Sequence, residues 1–237
     1  MRHTDRMTKL KRLKRFLAQV IVVATMTPAA AISAEFTAIT LPGGIVVEFA
    51  VVLPDGYSAD REWPAVLAFP PGGQNKAMVN SGMGWWESEA KRRGFLVFSP
   101  AAPTSGLFFD GSRDLIGPFA QALLDQYPIA GGKFHVGGIS NGGISAFTAA
   151  LDHPDLFLSI TVMPGFPRDD DLAPISHMKI NMFAGESDTP WVAQMVRTND
   201  ALIALGADVF MEVVPGAGHT MPSLAGPGAS RLFDLLP

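Results

Sequence analysis

The chain contains no cysteine. Disulfides, thiolate metal sites and a cysteine nucleophile are therefore excluded, and any covalent chemistry falls to Ser, Thr, Asp or Lys. Histidine is scarce, five in 237 residues, so each one can be weighed singly as an acid–base group. Charged residues make up only 17% of the sequence against 48% hydrophobic ones, a balance that buries a core instead of staying disordered. The formal net charge is −4, and with the basic first fifteen residues set aside the remainder is clearly acidic. That disfavours nucleic acid or an anionic membrane surface as the partner. Beyond residue 34 no stretch is long and apolar enough to span a bilayer.

The start of the chain has a different character. Arg2, Arg6, Lys9, Lys11, Arg12, Lys14 and Arg15 precede an uncharged run with its apolar centre at Leu17 to Met26. Small residues follow, Pro28-Ala29-Ala30-Ala31-Ile32-Ser33-Ala34. Basic, apolar and small segments in that order are the three parts of a secretory signal peptide, with cleavage after Ala34 or Ala31. The expectation is a signal peptide over residues 1–34, a secreted or periplasmic product, and no stable membrane insertion once the leader is removed. The alternative is an uncleaved anchor, against which stand the short apolar centre and its interruption by Thr25, Thr27 and Pro28.

Residues 35–237 read as one domain of about 200 residues, a size that suits a single core. Short apolar runs alternate with amphipathic ones. Strands are expected at Ile45–Leu53, Ala65–Phe69, Phe95–Phe98, Phe134–Gly138, Leu158–Met163, Lys179–Ala184 and Val209–Val214. Helices are expected at Trp85–Arg93, Leu115–Gln126, Gly142–Leu151, Trp191–Leu205 and near Ser223–Leu236. This alternation predicts an α/β fold with a mostly parallel central sheet covered by helices on both faces. Functional groups then collect in loops at the carboxyl ends of strands. Between Met163 and Met178 there is room for only a small insertion, so no large cap domain is expected.

Gly138-Ile139-Ser140-Asn141-Gly142 falls at a strand-to-helix junction, where a sharp turn lifts a serine hydroxyl above the sheet and demands small neighbours two positions away on each side. Ser140 is the candidate nucleophile. Downstream, in the order acid then histidine, come Asp188 in Gly185-Glu186-Ser187-Asp188 and His219 in Pro215-Gly216-Ala217-Gly218-His219, each just past a predicted strand. A serine hydroxyl attacks poorly until an imidazole takes its proton, and a carboxylate orients that imidazole. Glu186 is the rival acid. His153 is accounted for at a helix end, His135 and His177 as structural or exposed, Ser145 as too far along the helix to attack, and Asp169, Asp170 and Asp171 as a solvent-facing run.

Stabilising the oxyanion takes two backbone N–H groups. Asn141 supplies one; Gly72 or Gly73, after the Ala65–Phe69 strand, supplies the other, with Gly72 the first choice. Trp191 and Phe166 are expected to line a substrate pocket. Trp85, Trp86, Phe108 and Phe109 stand near the same loops.

With those residues placed, the chain resembles the α/β-hydrolase superfamily, and within it the secreted esterases of the polyhydroxybutyrate depolymerase-like and feruloyl-esterase-like group. Phe69-Pro70-Pro71-Gly72-Gly73-Gln74-Asn75, Gly94-Phe95-Leu96-Val97-Phe98-Ser99-Pro100, Gly138-Ile139-Ser140-Asn141-Gly142-Gly143 and His153-Pro154-Asp155-Leu156-Phe157 carry the likeness. The resemblance implies hydrolysis of small or polymeric carboxylic esters with no cofactor and no metal, and it implies Asp188 as the acid between Ser140 and His219. Where that group commonly has His-Gly before its oxyanion loop, this chain has Pro70-Pro71. Two other functions compete: a serine peptidase of the prolyl-oligopeptidase type, which uses the same triad beside a propeller domain, and a binding protein that keeps the fold without turnover.

Overall fold

Why the apolar runs are short becomes clear from the sheet they build. In the computed structural model, which describes residues 35–103 and 106–237, eight strands lie in the order β1-β2-β4-β3-β5-β6-β7-β8. They are β1 (Phe36–Thr40), β2 (Val46–Val52), β3 (Ala65–Phe69), β4 (Leu96–Pro100), β5 (Phe134–Gly138), β6 (Phe157–Val162), β7 (Lys179–Gly185) and β8 (Asp208–Val214). β2 runs antiparallel to β1 and β4; every other neighbouring pair is parallel. All five residues of β3, β4 and β5 are buried, as expected for strands covered on both faces.

Strand alternation divides the interior in two. Ala65, Leu67 and Phe69 of β3 join Leu96, Phe98, Phe134, Val136, Ile180 and Met182 on one face, under α3 (Ile116–Gln126), α4 (Asn141–Asp152) and α5 (Thr189–Ala204). Val66 and Ala68 point the other way, with Val97 and Phe183, toward α1 (Lys76–Gly82), α2 (Glu87–Arg93) and α6 (Ser230–Phe233). On that second face β5 carries Gly137, because the Trp86 ring occupies the space a side chain would need: a Cβ there would lie 2.6 Å from it.

The second face also holds polar groups in pairs. His135 Nδ1 and Ser159 Oγ are 2.8 Å apart, and Asn181 Nδ2 donates to Thr161 Oγ1 at 3.1 Å. All four residues are buried. Burial pushes the His135 imidazolium down to about pKa 4, so this histidine is neutral at ordinary pH.

Several expectations need correction. The helix expected over Trp85–Arg93 is a 3₁₀ turn at Met83–Trp85 followed by α2, closed by Gly94 in the left-handed conformation at φ 80°. The closing helix near Ser223–Leu236 breaks into turns at Pro222–Leu224 and Gly226–Ala229, leaving only α6. Pro222, Pro227 and the glycines around them remove donors and helical preference. β1 and α1 were not expected. Phe36–Thr40 has a single buried residue and α1 ends in Asn-Ser-Gly, so neither shows a periodic apolar pattern. Asp169 does not simply face solvent: Arg113, held by Asp152 at 2.6 and 2.7 Å, also reaches it at 3.4 Å. The leader over residues 1–34 lies outside the described residues. Among the described residues no helix is long and apolar enough to cross a membrane.

Candidate active site

Ser140 sits between β5 and α4 with φ 58° and ψ −119°, a backbone conformation that side-chain-bearing residues rarely adopt. Its surroundings hold it there. The Ser140 N–H donates to the Pro164 carbonyl at 2.9 Å, and its own carbonyl accepts from Gly143 and Ile144 at 2.8 and 3.1 Å. Glycines are required on each side for space. A Cβ on Gly138 would lie 2.1 Å from the Gly142 carbonyl oxygen, and one on Gly142 would lie 2.1 Å from that of Phe69. The spacing of the two glycines around the serine is thus the spacing at which strand, turn and helix backbones touch.

Asp188 and His219 come from neighbouring loops after β7 and β8, and the two loops are built against each other. A Cβ on Gly185 would lie 1.9 Å from the Gly218 carbonyl oxygen. Glu186 N–H donates to Val214 O at 3.1 Å, Ser187 N–H donates to Ala217 O at 2.9 Å, and the Glu186 carboxylate accepts from Gly216 N–H at 2.8 Å. Glu186 therefore braces the histidine loop. Asp188 turns its carboxylate to the imidazole instead: Asp188 Oδ2 lies 2.6 Å from His219 Nδ1. It stands at the N-terminus of the 16-residue α5, where the helix dipole favours negative charge.

His219 Nε2 lies 2.7 Å from Ser140 Oγ. An Nδ1–H donated to the Asp188 carboxylate leaves Nε2 as the acceptor, so the Ser140 hydroxyl donates to it. The three side chains singled out from separate stretches of sequence are thus within hydrogen-bond distance in the order a triad requires. The Trp191 ring meets the His219 ring edge-on at 4.9 Å between centroids, and Phe166 packs on Trp191 at 4.9 Å. Both are half-buried. Trp86 and Phe108 are core, Trp85 donates its indole N–H to Met221 O at 3.3 Å, and Phe109 lies under the Arg168 guanidinium.

Two peptides lie near the Ser140 turn, one at Asn141 and one at Gly72. At the first position of α4 the Asn141 N–H has no protein acceptor among the described residues, whereas Gly142 N–H donates to Ile139 O at 2.8 Å. Across from it Pro71 O accepts from Gln74 N–H at 3.1 Å, closing a turn with Gly72 at φ 56°. The Asn141 side-chain amide donates to Gly72 O at 2.9 Å. The trans peptide directs the following Gly73 N–H opposite to the Gly72 carbonyl. One residue near this loop escaped the sequence reading: Gln74, fully buried at φ 53°, whose partners lie too far along the chain to be inferred from a local pattern. Among the described residues no group of three or more His, Asp or Glu side chains is placed to hold a metal ion.

No protein-family model matches the chain. No curated protein matches it by sequence. Solved structures do match in shape. A thermostable esterase shares 20% identity at a TM-score of 0.67, over 86% of this chain and 60% of its own. A ferulic acid esterase shares 14% at a TM-score of 0.68, over 86% of this chain and 96% of its own. Porphyromonas gingivalis dipeptidyl peptidase 4 shares 15% at a TM-score of 0.66, over 85% of this chain. The chain spans 60% of that thermostable esterase and 35% of that peptidase. Sheet order, strand direction and these likenesses agree: the chain has the α/β-hydrolase fold.

Proposed function

We propose that this protein is a serine hydrolase of carboxylic esters, with Ser140 as nucleophile, His219 as general base and Asp188 as the carboxylate that orients it. The observation that carries the reading is the imidazole of His219 bridging Ser140 Oγ at 2.7 Å and Asp188 at 2.6 Å. As His219 Nε2 takes the hydroxyl proton, Ser140 Oγ bonds to the ester carbonyl carbon, and the carbonyl π electrons move onto oxygen. The N–H groups of Asn141 and Gly72 bind that oxyanion. The intermediate collapses with cleavage of the bond to the alcohol oxygen, which receives the proton from His219. Water, deprotonated by the same nitrogen, then attacks the acyl-enzyme and releases the acid. Trp191 and Phe166 form one wall of the substrate pocket in this reading, beside the imidazole.

Hydrolysis of short-chain nitrophenyl esters, with a burst of nitrophenol where deacylation is slow, is the expected activity. Ser140→Ala removes both the turnover and the labelling by a fluorophosphonate, with a loss in kcat of roughly 10⁴-fold or more. Retention of ester hydrolysis by that variant would overturn the proposal. A folded protein that neither turns over esters nor reacts with the probe would instead be a binding protein on this fold. The likeness to a dipeptidyl peptidase favours one rival activity, peptide hydrolysis by the same three residues. A panel of dipeptide amides run beside the esters separates the two. The reading further includes export, with residues 1–34 as a cleaved leader and residues 35–237 as the catalytic domain. The N-terminal sequence of protein recovered from outside the cytoplasm tests that part.

A further inference from the structure

The oxyanion site proposed above draws its two donors from different elements, Asn141 at the start of α4 and Gly72 in the loop after β3. Their separation is not set by the sheet alone, because β3 ends at Phe69 and the loop continues freely in sequence. What spans the gap is a closed set of hydrogen bonds around one buried amide. Gln74 Nε2 donates to Pro70 O at 3.2 Å and to Ser145 Oγ at 2.9 Å. The Ser145 hydroxyl donates to Asn141 O at 3.1 Å. Asn141 Nδ2 donates to Gly72 O at 2.9 Å, returning to the loop that carries Gln74. The remaining groups of Gln74 are used as well: Oε1 accepts from Phe108 N–H at 2.7 Å, its N–H donates to Pro71 O, and its carbonyl accepts from Ala102 N–H at 2.8 Å.

From this ring we infer that Gln74 is a positioning residue for the oxyanion hole, holding the Gly72 peptide in register with the Asn141 N–H through Ser145 and the Asn141 side chain. The inference rests on the esterase reading and deepens it. Gln74 touches no reacting atom. Its backbone lies at φ 53°, in the left-handed region where glycine is the easier residue. Backbone shape alone therefore asks for glycine here; the side-chain bonds ask for glutamine. Ser145, set aside above as unable to attack, acquires a place in the same ring.

The opposed preferences supply the test. In Gln74→Gly the backbone conformation is retained while all three side-chain bonds are lost; Gln74→Met keeps most of the volume and loses the bonds. Each variant is compared with wild type on a nitrophenyl ester, with active sites counted by burst titration, and in its affinity for a trifluoromethyl ketone, whose adduct places an oxyanion in the hole. Both variants are expected to lose about 10- to 100-fold in kcat per active site with KM changed less than about threefold, as for a weakened oxyanion donor. Affinity for the ketone falls by a matching factor. Ser145→Ala lowers kcat in the same manner, and combining it with Gln74→Met adds little further, as expected for members of one network. A purely structural role would lower melting temperature and the fraction of active sites while leaving kcat per site intact. Wild-type kcat per site in Gln74→Gly would overturn the inference and leave the esterase reading standing. If the wild-type protein shows no Ser140-dependent hydrolysis, the esterase reading fails first and takes this inference with it.

Discussion

Ser140 and His219, the proposed nucleophile and base, are held in place with a different balance of packing and hydrogen bonding. Ser140 is fixed by contact. Its turn is packed so closely that Gly138 and Gly142 lack room for a methyl group, and its backbone bonds run to Pro164 and into α4. His219 is fixed by directed bonds as well as by the close approach of Gly185 to Gly218, in a more open setting. Its side chain is 39% exposed, and its loop hangs on Glu186, Ser187 and the Asp188 carboxylate. Steric fixation tolerates almost no substitution but survives changes of pH and salt. Fixation by hydrogen bonds can be removed one bond at a time, with the fold left standing.

The sharpest way to break this contrast is on the packed side. Gly142→Ala forces a Cβ to within 2.1 Å of Phe69 O. It is expected to destabilise the protein by about 4 kcal/mol or more, beyond the usual range for single substitutions, and to abolish soluble, probe-reactive enzyme. A urea titration beside fluorophosphonate labelling reads both. On the bonded side, Asp188→Asn should leave the melting temperature nearly unchanged while kcat falls by roughly 10³- to 10⁴-fold, since the wrong tautomer of His219 is then favoured. An unfolded Asp188→Asn variant would erase the distinction between the two halves.

A third test concerns the strand beneath the nucleophile. His135 in β5 stays neutral down to about pH 4 when folded, whereas an unfolded histidine takes up its proton near 6.5. The unfolded chain binds more protons between those values. The stability contributed by the neutral histidine is therefore complete above pH 6.5 and declines as pH falls toward 4, by about 3 kcal/mol in all. Chemical denaturation at pH 7.5 and at 4.5 measures the drop, and His135→Leu should flatten that part of the profile. The smallest effect is expected at Glu186. Glu186→Ala deletes an exposed acceptor of the Gly216 N–H and should cost about 1 kcal/mol or less, with kcat lowered only a few-fold. A loss as large as that of Asp188→Asn would mean the two carboxylates share the acid's role.

Much of this arrangement was legible in the sequence because it obeys local rules. β3 and β5 lie where their apolar runs do, and the glycine spacing around Ser140, with a strand before it and a helix after it, points to a sharp strand-to-helix turn. The order of Asp188 and His219 followed from the same rule. The choice between Asp188 and Glu186 did not follow from the residues alone; two carboxylates on one loop differ by which way they turn, and that depends on Gly216, thirty residues downstream. Gln74 was beyond reach for a like reason. Its partners Ser145 and Phe108 are 71 and 34 residues away, and a glutamine beside two glycines reads as an ordinary turn. Missed elements were those without periodic burial, such as Phe36–Thr40, and the broken C-terminal turns.

The contact between Gly185 and Gly218 has a consequence for how such a molecule can diversify. With the two loops touching backbone to backbone, an insertion in either one would separate carboxylate from imidazole. The segment between Met163 and Met178 meets the same kind of limit at its start, where the Pro164 carbonyl accepts from Ser140 N–H and lies against Gly143, and further on it carries Phe166 onto Trp191. Lengthening the segment beyond Phe166 is expected to alter the wall beside Trp191 while leaving the Ser140–His219–Asp188 bonds in place.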